Sequence, residues 1–202
     1  MYLVKTPSLV QNLFPGFTWC RPGADKNVYL TFDDGPIPKV TPWVLRQLRK
    51  YEAQATFFCI GDNVRKHPNI YAEVRAAGHR VGNHTMHHIN GWRTKQADYT
   101  ADTEKCARLV DSDLFRPPYG RLTPRQAKQL REKYEIVLWD VLSGDFDEKI
   151  DGERCLDNVL RHSQVGSIVV FHDSLKAFPR LRYALPRVLA HFSEAGYRFA
   201  AL

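Results

Sequence analysis

The chain has 202 residues, 44% of them hydrophobic and 25% charged, with a formal net charge of +7. That length supports one domain with a substantial core, and the composition excludes a disordered, collagen-like or coiled-coil chain. The longest apolar runs, such as Ile168 to Phe171, are strand-sized against the roughly 20 residues of a membrane helix, so no membrane span is expected.

Residues 1–17 carry one lysine and are interrupted by Pro7, Gln11, Asn12 and Pro15. They lack the continuous apolar core of a secretory signal, and the expected localisation is cytoplasmic. Residues 1–26, rich in proline and aromatics, read as an irregular lead-in packed on a domain formed by residues 27–202. The first strand, residues 28–32, alternates Val28, Leu30 and Phe32 and ends in Asp33-Asp34-Gly35-Pro36. Two carboxylates thus sit at a strand mouth, where glycine and proline turn the chain. The pair is either a solvated turn or two groups with different jobs, one on a metal and one on a proton.

Thr41-Pro42 predicts a capped helix with Val44, Leu45 and Leu48 on its apolar face. Strand 55–60, helix 70–77 and strand 79–82 follow, and then Gly82-Asn83-His84-Thr85-Met86-His87-His88. His84 and His88 are four apart, so on a helical turn their rings would share a face and converge on one metal ion. Two imidazoles and a carboxylate such as Asp34 form a catalytic zinc-type ligand set; a surface loop is the alternative.

Helix 96–110 leads to strand 114–116 and Arg116-Pro117-Pro118-Tyr119-Gly120. The prolines remove two backbone donors and leave the Tyr119 N–H as the next available one, which suits an oxyanion site or a plain proline turn. Thr123-Pro124 predicts another capped helix, followed by strand 135–141, helix 152–162 and strand 167–172. This last strand ends at His172, a candidate general acid. Helix 181–194 and strand 197–202 complete the chain. Strand–helix alternation predicts an α/β fold with a parallel sheet, open or closed into a barrel.

Cys20, Cys59, Cys106 and Cys155 lack the paired spacing of a zinc ribbon or redox motif, so buried or free thiols are expected. Lysines and arginines are scattered as on outer helix faces. With no zinc-finger spacing or RNA-binding signature, no nucleic-acid partner is expected.

Thr31-Phe32-Asp33-Asp34-Gly35-Pro36, His84-Thr85-x-x-His88, Arg116-Pro117-Pro118-Tyr119-Gly120 and the strand ending at His172 occur in the order of one family. From about residue 27 onward the sequence resembles the polysaccharide deacetylases, the carbohydrate esterases that share the NodB homology domain. The resemblance implies a distorted barrel of seven β/α units with parallel strands and a catalytic face at the C-terminal strand ends. It implies that Asp34, His84 and His88 bind a divalent metal, usually zinc, and that Asp33 is the general base toward the attacking water. It further implies that Arg116 orients Asp33, that the Tyr119 N–H assists the oxyanion and that His172 protonates the departing amine.

The substrate implied is an acetylated glycan with N-acetylglucosamine units, peptidoglycan-like or chitin-like. For such a polymer, association with the cell envelope is the alternative localisation. The fourth family motif departs: Leu142 aligns with the aspartate that tunes the catalytic histidine, and Phe146 stands where the family has a pocket-lining tryptophan. That departure leaves room for Asp145 or Asp140 as substitutes. It also admits a weakly active or inactive carbohydrate-binding protein, and an O-acetyl esterase is a third reading. Trp92, Trp139 and Tyr119 are candidate sugar-stacking surfaces.

Overall fold

The computed structural model describes residues 2–23 and 25–202. The first half runs α1 (Ser8–Leu13), β1 (Asn27–Asp33), α2 (Val40–Arg49), β2 (Thr56–Cys59), α3 (Gly61–Lys66), α4 (Pro68–Ala76) and β3 (Arg80–Asn83). The second half runs α5 (Gln96–Ala107), β4 (Leu114–Phe115), α6 (Pro124–Leu130), β5 (Glu135–Ile136) and β6 (Val141–Leu142). It ends with α7 (Gly152–His162), β7 (Ile168–His172), α8 (Phe178–Glu194) and β8 (Arg198–Phe199). The strands follow the order β5-β4-β3-β2-β1-β7-β6, with β8 added beside β1. Every pairing between these strands is parallel, and the expected α/β barrel architecture is the one observed.

Period-two alternation in β1 and β7 divides the interior. Val28, Leu30, Phe32, Val169 and Phe171 pack outward under the helices, in the main core with Val44, Leu48 and Leu185. Tyr29 and Ile168 point the other way, into a second cluster with Phe58, Leu114, Val137 and Trp139. That cluster fills the barrel and makes a floor, so residues at the strand ends form the accessible face.

The two edge strands, β5 and β6, are separated in sequence only by residues 137–140. The sequence predicts one strand over 135–141; the chain instead steps across the barrel opening there, and the lead-in supplies the missing partners. Thr18 N donates to Ile136 O at 2.9 Å, and Leu138 N donates to Thr18 O at 2.8 Å. On the other side Leu142 N donates to Val4 O at 2.8 Å, and Lys5 pairs with buried Asp140 at 2.6 Å. The lead-in is therefore a strap with its own short helix, and its backbone groups pair where the sheet is open.

Helix termini follow local chemistry. Asp151 caps α7 through Arg154 N, and Thr123 with Gln126 forms a reciprocal capping box on α6. Thr41 does not cap α2, which begins at Val40; its hydroxyl accepts from Ile37 N and donates to Asp173. All four cysteines are free, three of them buried. No described helix is long and apolar enough to cross a membrane.

Candidate active site

Asp33 is the last residue of β1 and faces the barrel interior, in register with His172 of β7. Asp34 leaves the strand in the left-handed region at φ 84°, followed by a cis Gly35–Pro36 peptide. That turn separates two adjacent carboxylates. Asp33 is 4% exposed and accepts from Arg116 Nη1 at 2.7 Å, whereas Asp34 is turned toward the histidines.

His84 follows β3, and its Nδ1–H donates to the Arg116 carbonyl at 2.7 Å. This fixes the tautomer and leaves the Nε2 lone pair for a metal. His88 Nε2 lies 3.3 Å and His84 Nε2 4.0 Å from Asp34 Oδ1. Of the two geometries the spacing allows, the segment between the histidines is a loop and not a helical turn: Thr85 and His88 both have positive φ, 63° and 55°. Hydrogen bonds shape this loop instead. Asn83 Oδ1 accepts from Thr85 N at 2.9 Å, and Asp102 accepts from Met86 N, His87 N and His87 Nδ1. His87, in the same motif, is thus committed to Asp102, and His79 is buried elsewhere against Phe57.

Among the described residues, Asp34, His84 and His88 form the one cluster of three metal-ligating groups, their atoms within 4.8 Å of one another. Asp34 Oδ1 is buried without a hydrogen-bond partner. An orphaned carboxylate oxygen facing two imidazole nitrogens fits a divalent cation of the zinc type. Burial pushes His84 down to about 4 and lowers His88 as well, so both are neutral and able to ligate at neutral pH.

Arg116 is fully buried, and each guanidinium nitrogen has a partner. Nε donates to Val137 O, Nη2 to Leu138 O, and Nη1 to both Thr31 Oγ1 and Asp33 Oδ1. Its Cζ lies 4.1 Å from the Phe58 ring centroid. Burial alone would raise the Asp33 pKa; Arg116, His84 and His172 outweigh it and hold the carboxyl below its usual range. Beyond the two prolines, Tyr119 has φ 62° and an exposed ring set edge-on to His88 at 4.7 Å. Gly120 follows at φ 65°, where a Cβ would strike Trp139.

The carboxylate aligned to Leu142 is supplied by Asp145. Asp145 is fully buried; its Oδ2 accepts from His172 N and its Oδ1 from His172 Nδ1–H, both at 2.7 Å. Burial opposes protonation of His172, but Asp145 prevails, with help from Asp34 and Asp33, and raises it to about 10. Its Nε2–H is left for the cavity. Asp140 points away, toward Lys5 and Ser167, and Leu142 lines the cavity.

Asp33, Asp34, His84, His88 and His172 all line one cavity of about 370 Å³. The rest of the lining is largely apolar, with Trp139, Leu142, Phe146, Val170 and, from the strap, Tyr2, joined by Lys176. Residues 21–138 match the family model for polysaccharide deacetylase. The chain belongs to the polysaccharide deacetylase family.

This polysaccharide deacetylase is similar to a peptidoglycan-N-acetylglucosamine deacetylase of Bacillus cereus, 35% identical over 192 residues that cover 92% of this chain and 90% of the relative. It is 34% identical over 156 residues to a chitooligosaccharide deacetylase of Azorhizobium caulinodans, covering 73% of each. Its fold is similar to a crystal structure of a peptidoglycan N-acetylglucosamine deacetylase in complex with 4-naphthalen-1-yl-N-oxidanyl-benzamide. The TM-score is 0.84 at 31% identity, over 93% of this chain and 91% of that one.

Two deacetylase site residues lie outside the motifs. Tyr2 packs on Phe146 with ring centroids 5.1 Å apart, and no sequence signal joins positions so distant. Asp102 sits on buried positions of α5 and looks like a helix residue until its loop partners are seen. Of the candidate stacking residues, Trp139 lines the cavity. Trp92 lies exposed outside it, its Nε1–H donating to Leu122 O and one face covered by Arg121.

Proposed function

We propose that this chain is a divalent-metal-dependent N-deacetylase that hydrolyses the acetamide of N-acetylglucosamine units in a peptidoglycan-like or chitin-like glycan, with zinc as the metal. The observation that carries the reading is the placement of three groups around one cavity. A neutral two-histidine, one-carboxylate set lies beside a carboxylate held ionised by Arg116 and an imidazole held protonated by Asp145.

Asp34, His84 and His88 would hold the metal, which supplies Lewis acidity toward a water and a carbonyl oxygen. Asp33, kept charged by Arg116, takes the proton of the attacking water. His172 donates its Nε2 proton to the departing nitrogen, so water and amide become acetate and a free amino sugar. The Tyr119 N–H is assigned to the developing oxyanion. The apolar wall of Leu142, Val170 and Trp139 suits a small acyl methyl group. The low-turnover binding reading depended on a missing carboxylate beside His172, and Asp145 stands there.

The test is acetate release from N-acetylglucosamine oligomers, peptidoglycan fragments and acetylated xylan, with protein that has been chelated and then reloaded with Zn²⁺. Release from the amides that disappears on chelation and returns with metal is the expected result. Release from xylan alone makes the chain an O-acetyl esterase, and release from none overturns the enzyme reading.

A further inference from the structure

The aim of Asp34 is set by its backbone, because its buried Oδ1 makes no hydrogen bond. That backbone lies in the left-handed region at φ 84°, a conformation that aspartate tolerates better than most residues and that its surroundings hold in place. Asn63 Nδ2 donates to Asp34 O at 2.7 Å, and Ile60 N donates to Gly35 O at 3.0 Å. The third restraint comes from a carboxylate with no role in the chemistry above. Asp173, the first residue beyond β7, is fully buried, and its Oδ1 accepts from Gly35 N at 2.9 Å.

Asp173 is itself fixed from three directions. Its N–H donates to Asp33 O at 3.0 Å, one step past the end of the β1–β7 ladder. Its Oδ2 accepts from the Thr41 hydroxyl, which in turn accepts from Ile37 N at 2.7 Å. A closed circuit therefore runs from Gly35 through Asp173 and Thr41 back to Ile37, tying the turn after Asp34 to β7 and to the start of α2. Gly35 is required by this contact: a Cβ there would lie 2.0 Å from Asp173 Oδ2.

We infer that Asp173 is a positioning residue, which aims Asp34 at the metal through the Gly35 amide while both of its own oxygens stay engaged by Gly35 and Thr41. The inference rests on the metal reading given under Proposed function. Hydrogen bonding behind a ligand sets its orientation and so its affinity.

The experiment titrates metal-free protein with Zn²⁺ against a chromophoric chelator and records the visible spectrum of the Co²⁺ form, with folding checked by circular dichroism. Asp173→Ala is expected to weaken Zn²⁺ binding by about tenfold or more and to change the Co²⁺ spectrum. Asp173→Asn keeps an acceptor for Gly35 N and should stay within about threefold of the parent protein. Folded Asp173→Ala with parental affinity and spectrum overturns the inference, since a merely structural role would lower the melting temperature and leave affinity alone. Should Asp173→Ala fail to fold, Thr41→Val decides. It removes one of the two restraints on the Asp173 carboxylate, so a several-fold weaker affinity supports the inference and an unchanged one overturns it. A parent protein that binds no stoichiometric metal overturns the metal reading and this inference together, an outcome distinct from any difference between variants.

Discussion

Asp33 and His172 are register partners on neighbouring strands, and each meets a buried opposite charge at 2.7 Å, yet the two pairs are built in opposite senses. At Asp33 the partner is a guanidinium tied to two backbone carbonyls and a threonine, and the group of interest is kept without a proton. At His172 the partner is a carboxylate that grips both the backbone and the ring, and the group of interest keeps its proton. Burial opposes the charged form in both cases and is overcome in both. The difference shows how one apolar cavity presets a proton acceptor and a proton donor before any substrate enters. Buried ion pairs contribute little to stability as such, so their presence here is explained by the protonation states they fix.

Four measurements would break or sharpen this contrast. Asp33→Asn keeps the shape of the acceptor and removes the base, so turnover should fall by about 10³-fold with metal still bound. Loss of metal from that variant would show that Asp33 and Asp34 had been exchanged. Arg116→Met leaves a buried carboxylate unpaired and should cost about 3 kcal/mol in urea denaturation at neutral pH.

The sign of its pH dependence follows from the depressed Asp33 pKa. That stabilisation is present above the unfolded carboxyl value of about 4 and is lost as pH falls through the folded value. The gap between Arg116→Met and parent should therefore narrow in acid, and a gap that stays constant would show that Arg116 acts through packing alone.

His172→Ala should slow turnover by about 10²-fold with metal retained, and an unchanged rate would remove its role as acid. Asp145→Asn gives the smallest change. His172 is raised to about 10, so activity that needs its proton persists below that value and is lost as pH rises through it. Without the carboxylate charge, the alkaline limb of the rate profile should move down by about one unit or more, equivalent to about 1.4 kcal/mol per unit. A limb that does not move would separate the limb from His172.

Motifs made of neighbours in sequence were legible, and groups that meet only in space were not. The α7 helix lies where its amphipathic pattern places it, and the Thr123-Pro124 start of α6 carries its own cap. The carboxylates after β1 and the histidines after β3 are announced by short-range patterns that also mark strand ends. The spacing of His84 and His88 is compatible with a helical turn or a loop, and Asp102, remote in sequence, decides between them. Alignment puts Leu142 where the partner of His172 is expected and leaves Asp145 and Asp140 open as substitutes; residue type does not say which of them points toward the histidine, and the structure places Asp145 there. The single strand predicted over 135–141 failed for a related reason: the apolar run is real, but its partners belong to the lead-in.

That strap has a consequence in time as well as in space. Its contacts at Ile136, Leu138, Asp140 and Leu142, and the bridge from Cys20 to Ser167, join the beginning of the chain to segments made much later. During synthesis the first four pairings cannot form until residues 136–142 have left the ribosome, and the Cys20 bridge waits for residue 167, so the sheet stays unsealed while β1 to β4 already exist. Sequence-distant closures of this kind are the slow ones in folding. Tyr2 rides on the same strap, so the cavity wall it provides is among the last parts of the site to be put in place.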